Sequence, residues 1–296
     1  MRKIILSAVL AMGAIFSTAQ AAPVDFPICT GGEGGYYESL GQDIGRSIAK
    51  KADVNLEIVN TGGSVENAEL LKEGDCVMAI MQADAVSTLP LPADIKVTDS
   101  HTEVIYWLFP KNGPVDDFGD MEKDANTKRY AVAVVAGSGA QLTVKNFEAT
   151  DKDYAGIRYV EFDDWYAAAE AVSQGFVQKA GVRLEIAGML YIARPGKISS
   201  DITEDFGKQI VIGEINDDSF SNSKDINGNP LYTKCSISSK ETGGLTTDTI
   251  GSPDTYCMRA QVVYNNDTHA GMERKESRAF RRAVDKGVNS IVKAVR

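Results

Sequence analysis

Phe26-Pro27-Ile28-Cys29-Thr30-Gly31-Gly32-Glu33-Gly34-Gly35-Tyr36-Tyr37 reads as a short apolar strand that feeds a Gly-rich turn and opens into a helix. Leu40, Ile44 and Ile48 continue that helix as one apolar stripe, recurring every four residues. Val54, Leu56 and Ile58 then alternate with polar neighbours as a strand, and Thr61-Gly62-Gly63 turns the chain into a second helix with Ser64 as its expected N-cap. A third strand over 77–81 delivers Gln82 and Asp84 at its carboxyl end. Strand, Gly-rich turn and helix in alternation imply a parallel sheet with helices on its faces.

A second unit of the same kind follows a strand over 104–109 that ends at Pro110. Residues 130–135 form a nearly all-apolar strand running into Gly137-Ser138-Gly139. Ser138 and Gln141 have the spacing of a capping box, which predicts a helix start there. A strand over 157–162 leads to Asp163 as a cap and a helix over 165–174, which Gly175 ends. Residues 209–215 read as the strand that returns the chain to the first unit, and 216–255, rich in Asn, Asp, Ser and Gly, read as long loops. Phe280, Val284, Val288, Val292 and Val295 trace a final helical stripe. The expected architecture is α/β with two lobes joined by a hinge, 22–106 plus 214–296 forming one and 107–213 the other.

The amino terminus supplies the expected location. Arg2 and Lys3 precede an apolar run over 4–16, and small residues end in Ala19-Gln20-Ala21, the order of a secretory signal peptide over 1–21. The run is shorter than the roughly 20 residues a spanning helix needs. Ala22, not a cysteine, stands at the new amino terminus, so release into a periplasm is expected rather than lipid anchoring. Losing Arg2 and Lys3 takes the formal charge from −10 to −12, which makes nucleic acid and anionic membranes poor partners.

Four cysteines in an exported chain imply disulfides. Cys235 and Cys257 flank a Gly-, Ser- and Thr-rich loop, and closing it restricts the unfolded chain by about 3 kcal/mol on an entropy model. Cys29 and Cys76 then pair by elimination, with two buried free thiols as the alternative. No metal site is expected, because zinc-ligand spacing is absent and His101 and His269 are the only histidines. Neither the Gly-x-Gly-x-x-Gly nor the P-loop spacing occurs at a strand-to-helix junction, and Ala136-Gly137-Ser138-Gly139 lacks the nucleophile elbow. The expectation is a binding protein with no catalytic residue and no cofactor.

Three Gly-rich turns at the carboxyl ends of strands place backbone N–H groups where ligands sit in open α/β sheets. Thr30-Gly31-Gly32-Glu33-Gly34-Gly35-Tyr36-Tyr37, Thr61-Gly62-Gly63-Ser64-Val65-Glu66-Asn67 and Gln82-Ala83-Asp84, supported by Gly137-Ser138-Gly139, give the chain its resemblance to the TAXI solute-binding proteins of tripartite ATP-independent periplasmic (TRAP) transporters. The resemblance covers about 28–215, and its second motif is the most specific. It implies a type 2 periplasmic-binding fold, closure about a hinge, and delivery of a solute such as glutamate, glutamine or 2-oxoglutarate to the transporter's membrane subunits, by a chain acting as a monomer.

By that match Thr30, Gly31, Tyr36, Tyr37, Ser64, Asn67, Gln82 and Asp84 line one side of a cleft, and Ser138, Gly139 and Ala140 face them. Hydroxyls and amides suit a carboxylate, and Asp84 suits a ligand amine. Trp165, opening a helix, is a candidate to close over the ligand, with packing as its alternative role. Lys111, Arg158, Arg183 and Arg194 are candidate carboxylate partners. After Gly175 the sequence departs from the family: an acidic residue and an aromatic-rich strand are usual there, and Val177-Gln178-Lys179-Ala180-Gly181-Val182-Arg183 stands instead. A protein of this fold that presents its ligand to a membrane sensor kinase remains the alternative reading.

Overall fold

The computed structural model describes residues 23–225, 227–269 and 271–295; the expected signal peptide and Ala22 lie outside them. The chain opens with β1 (Val24–Cys29), α1 (Tyr36–Ala49), β2 (Val54–Val59), α2 (Ser64–Glu73), β3 (Met78–Gln82) and α3 (Ala83–Thr88). Next come β4 (Ile95–Pro110), α4 (Met121–Ala125), β5 (Tyr130–Val135), α5 (Gly139–Thr150), β6 (Arg158–Phe162), α6 (Trp165–Gln174) and the hairpin β7 (Phe176–Lys179) and β8 (Val182–Ala193). It ends with α7 (Ser200–Phe206), β9 (Ile210–Gly213), β10 (Thr233–Ser236), β11 (Thr246–Thr247), β12 (Asp254–Asn265) and α8 (Arg274–Val295).

One twisted sheet runs through the molecule in the order β2-β1-β3-β12-β4-β8-β5-β6. The β2-β1-β3 part is parallel, and β12, from late in the sequence, inserts antiparallel between β3 and β4. That order, with a second α/β lobe built on β4, β8, β5 and β6, is the type 2 periplasmic-binding arrangement. β4 is long enough to belong to both lobes: residues 95–105 pair with β12, and its distal part pairs with β8 and β9.

Each lobe has its own core. In the first, Phe26, Ile28, Leu40, Ile44 and Ile48 meet Phe280, Val284, Val288 and Val292, so the stripes of α1 and α8 pack on one face of the parallel strands; Leu71, Ala79, Met81 and Ala85 fill the other face. In the second lobe, α6 and Ile202 of α7 cover one face of β5 and β8. Its other face carries an aromatic cluster in which Phe147 stacks on Phe220 with ring centroids 3.8 Å apart, flanked by Phe118, Tyr154, Tyr232 and Tyr256. Residues 216–236, polar and loop-like in sequence, are thereby pinned by buried aromatics. Cys235 joins Cys257 and Cys29 joins Cys76, with Cα separations of 5.9 and 5.8 Å.

Two expected caps are corrected. Ser64 is the first residue of α2 and Gly63 is its cap; the Ser64 hydroxyl instead accepts from the Gln82 N–H at 3.1 Å. α6 is capped by Asp164, not Asp163, because the Asp164 carboxylate lies 2.8 Å from the Ala167 N–H it accepts. Ser138 does cap α5, accepting from the Gln141 N–H, but the Gln141 side chain accepts from Gly137 N–H rather than closing a box on Ser138. Among the described residues no helix is long and apolar enough to cross a membrane.

The closest packing between α1 and α8 occurs at Gly287, where a Cβ would lie 2.5 Å from Ile48 Cγ1 and 3.1 Å from its Cα. Gly287→Val is expected to lower stability by about 1–3 kcal/mol, because α8 must move off α1. Urea unfolding reads this directly, and an unchanged or raised midpoint would contradict the packing described.

Candidate functional site

Three of the Gly-rich turns line one cavity of about 660 Å³ between the lobes. The first lobe contributes Gly31 to Tyr37, Gly62 to Ser64, Gln82 and Glu103; the second contributes Ser138 to Ala140, Trp165, Tyr191 to Arg194, Lys197, Ser199 and Ser200. A Cβ placed on Gly63 would lie 3.6 Å from both Gly139 N and Ser138 Cα, so the two turns already meet across the cleft. Gly63 is also held at φ +129°, a conformation open to glycine.

The position of the first-lobe turns follows from one buried side chain. Asn67, fully inaccessible in α2, donates through Nδ2 to the carbonyls of Thr30 and Ile80, the latter at 2.8 Å, while its Oδ1 accepts from the Thr61 hydroxyl at 2.6 Å. Thr30 is equally buried, and its hydroxyl donates to Val59 O at 3.1 Å. Thr30 and Asn67, expected to touch ligand, therefore lie beneath the cleft and tie the segments just past β1 and β2 to the middle of β3. Asp84 is corrected likewise. Its buried carboxylate accepts from the Thr143 and Tyr232 hydroxyls at 2.6 and 2.8 Å and from Ala85 N–H at 2.8 Å, so it faces the second lobe's helix rather than the cavity.

Gly31, Tyr36, Tyr37, Ser64, Gln82, Ser138, Gly139, Ala140 and Trp165 do line the cavity. Tyr36 and Tyr37 have distinct roles: Arg194 lies over the Tyr36 ring, 3.7 Å from its centroid, whereas the Tyr37 hydroxyl donates to Glu103 at 3.0 Å. Burial, with Glu103 beside it, raises the Tyr37 pKa, so the phenol stays protonated and remains a donor. Trp165 meets Tyr191 edge-on, with centroids 5.1 Å apart, and so both packs and faces the cleft.

The electrostatics favour an anion at one end. Neither Gly35, before α1, nor Gly63, before α2, offers a side-chain cap, so the first-turn N–H groups of both helices lack the partners a polar cap supplies. Those groups and the helix dipoles give the turns partial positive charge, partly offset by the Glu38 and Glu66 carboxylates, which accept from Gly34 and Gly62 N–H at 2.6 and 2.7 Å. Arg194 and Lys197 supply full charges from the opposite wall, and Glu33 and Glu103 are the acidic lining residues. Gln82 Oε1 is buried at the crossing of the lobes without a hydrogen-bond partner, and it occupies the space a side chain at residue 139 would need. Among the described residues no cluster of three or more His, Cys, Asp or Glu stands ready for a metal.

Of the four cations singled out in the sequence, Arg194 reaches the cavity and Lys111, Arg158 and Arg183 do not. Glu103, Tyr191, Lys197, Ser199 and Ser200 were not anticipated. The signal for Tyr191 was present: Ile186 to Ala193 is an apolar run bounded by Pro195-Gly196, which marks a buried strand whose end delivers Tyr191 beside Arg194.

Residues 28–90 match the NMT1-like family. No curated protein sequence matches the chain significantly. Among solved structures, the GluR0 ligand-binding core in complex with L-glutamate is 14% identical and superposes with a TM-score of 0.47, over 93% of this chain and 98% of that one. The effector-binding domain of a BenM variant is 11% identical with a TM-score of 0.48, covering 91% and 95%. OxyR of Corynebacterium glutamicum, as a C206 mutant, is 11% identical with a TM-score of 0.43, covering 93% and 69%. Likeness at this level is weak, and the fold stands on its own strand order.

Asp84 ties α3 to α5 and to Tyr232. Desolvation raises its pKa above 3.8, opposed by the three hydrogen bonds it accepts. A carboxyl with a raised folded pKa holds its proton more tightly in the folded chain. Its contribution to stability is therefore full below the ordinary carboxylate range and is lost as pH rises through the raised value. In that window Asp84→Asn should gain on the wild type by up to about 1.4 kcal/mol per pH unit. Denaturant unfolding from about pH 4 upward tests this; a gap that stays constant, or moves in the wild type's favour, would contradict it.

Proposed function

We propose that this chain is an extracytoplasmic solute-binding protein that captures one small carboxylate of the glutamate, glutamine or 2-oxoglutarate type and delivers it to the membrane subunits of a TRAP transporter. The observation that carries the proposal is the facing of two uncapped helix N-termini, at Gly35 and Gly63, and the Arg194 and Lys197 cations across a single cavity. Backbone amides and a guanidinium together recognise a carboxylate, and the amides hold their position without reorganising. The Gln82 carboxamide oxygen, lacking a partner, suits an N–H or O–H of the same ligand. The motifs shared with TAXI proteins and the family match over 28–90 both fall on the turns that form this cavity.

Release and capture follow from a hinge between the lobes. The reading keeps the division into 22–106 plus 214–296 and 107–213 as a proposal, with one change: Phe220, Tyr232 and Tyr256 pack among Phe118 and Phe147, which supports assigning their segment to the second lobe. A leader over 1–21, two disulfides and the resemblance support a periplasmic location.

Thermal-shift titration of the mature chain with glutamate, glutamine and 2-oxoglutarate, with glucose and magnesium as controls, tests the reading. An organic acid is expected to raise the melting temperature progressively, reaching about 2.7 kcal/mol of stabilisation at a hundred times Kd. Arg194→Gln should weaken the response at least about tenfold. Response to glucose or magnesium and to none of the acids would overturn the proposal.

A further inference from the structure

Behind the Tyr36–Arg194 stack lies a separate hollow of about 330 Å³, walled by Ser100, His101 and Thr102 of β4, Arg194 at the end of β8 and Arg259 of β12. Among the described residues no Asp or Glu lines it. Elsewhere on this acidic surface Arg46, Lys123, Arg183 and Lys234 each have a carboxylate partner. Neither Arg194 nor Arg259 forms an ion pair among the described residues, although the chain carries 41 acidic residues against 31 basic ones.

The local backbone explains how two arginines come to share one hollow. Arg259 pairs in register with Thr102, and the β4–β12 ladder then slips between Arg259 and Gln261. Such an irregularity re-aims the side chains beside it. The ring beneath Arg194 fixes the plane of its guanidinium. Two guanidinium groups repel each other without an anion between them, and each presents paired N–H donors. His101 adds a nearly inaccessible ring, its Nδ1 3.0 Å from the Ser100 hydroxyl and its Nε2 without a hydrogen bond, 3.5 Å from Glu103 Oε1.

We infer that this hollow, which shares Arg194 with the cleft, is a second ligand site that takes a phosphate group. A single carboxylate satisfies one guanidinium fork; a tetrahedral dianion satisfies two. The Thr102 hydroxyl, which has no hydrogen bond of its own, supplies a further donor. The space exceeds that of a bare phosphate, so the phosphate belongs either to the free anion or to a small phosphomonoester.

Isothermal titration calorimetry of the mature chain with inorganic phosphate, glycerol 3-phosphate and acetate, at constant ionic strength, tests the inference. One phosphate group is expected to bind per chain, about ten- to a hundredfold more weakly in Arg259→Gln. Tighter binding of inorganic phosphate assigns the free anion, and tighter binding of the ester assigns a phosphomonoester. Arg259 is exposed and makes no side-chain bond, so R259Q should melt at the wild-type temperature and keep its response to cleft ligands. Absence of phosphate binding, equal binding by R259Q, or acetate binding as tightly as phosphate would overturn it.

Discussion

A carboxamide buried at the first turn of α2 determines where the rest of the site falls. Asn67 bonds two backbone carbonyls and one hydroxyl, on the residues just past β1 and β2 and at the middle of β3. In a dry interior each of those groups costs about 1–3 kcal/mol if left unpaired, so the three strands are locked to one another. Once Thr30, Thr61 and Ile80 are fixed, the glycines that follow Thr30 and Thr61 have little choice of path. The N–H groups of Gly34, Gly62 and Gly63 are held by Glu38, Glu66 and the Thr61 hydroxyl, so the amides left to face the cleft are those of the first helical turns that follow. An aspartate cannot donate both bonds and a leucine can make none, which is why an amide occupies a place that no solvent reaches.

The opposing wall depends on this geometry through close approach rather than through bonding. Gly139 sits where Gln82 needs space, and Gly63 lies against Ser138 and Gly139, so glycine on both sides lets two backbones meet. Asp84 is a second strut between the lobes, joined to Thr143 and Tyr232. The chain as a whole is strongly acidic, yet the cleft and the hollow behind it gather Arg194, Lys197 and Arg259, none of which forms an ion pair among the described residues. Local potential, set by which groups converge, decides ligand charge here; net charge decides only which large partners are repelled.

Much of this was legible in the residues. The strand–turn–helix alternation placed β1 to β3, and the apolar stripes of α1 and α8 marked the faces that pack together. Gly175, at φ +71°, ended α6 where its sequence position implied. Most of the lining glycines and aromatics were readable because function there resides in backbone shape, which glycine announces. The errors have physical causes. Asn67, Thr30 and Asp84 are polar residues beside a cleft, and sequence cannot distinguish a polar group that meets ligand from one wholly consumed by internal bonds. Ser64 is the first residue of α2 rather than its cap, and its hydroxyl accepts from Gln82 N–H instead. β12 was missed as a central strand because its partners β3 and β4 lie more than 140 residues earlier, and no local pattern encodes so distant a pairing.

The central claim is that backbone amides of the facing Gly-rich turns form the anion cradle. The most direct measurement is a ¹H–¹⁵N spectrum of the mature chain followed during titration with glutamate or 2-oxoglutarate. Saturable shifts centred on the first-turn amides of Tyr36, Tyr37, Ser64, Gly139 and Ala140 are the expected result. Shifts confined to residues away from those turns, with the five amides unmoved at saturation, would contradict the account.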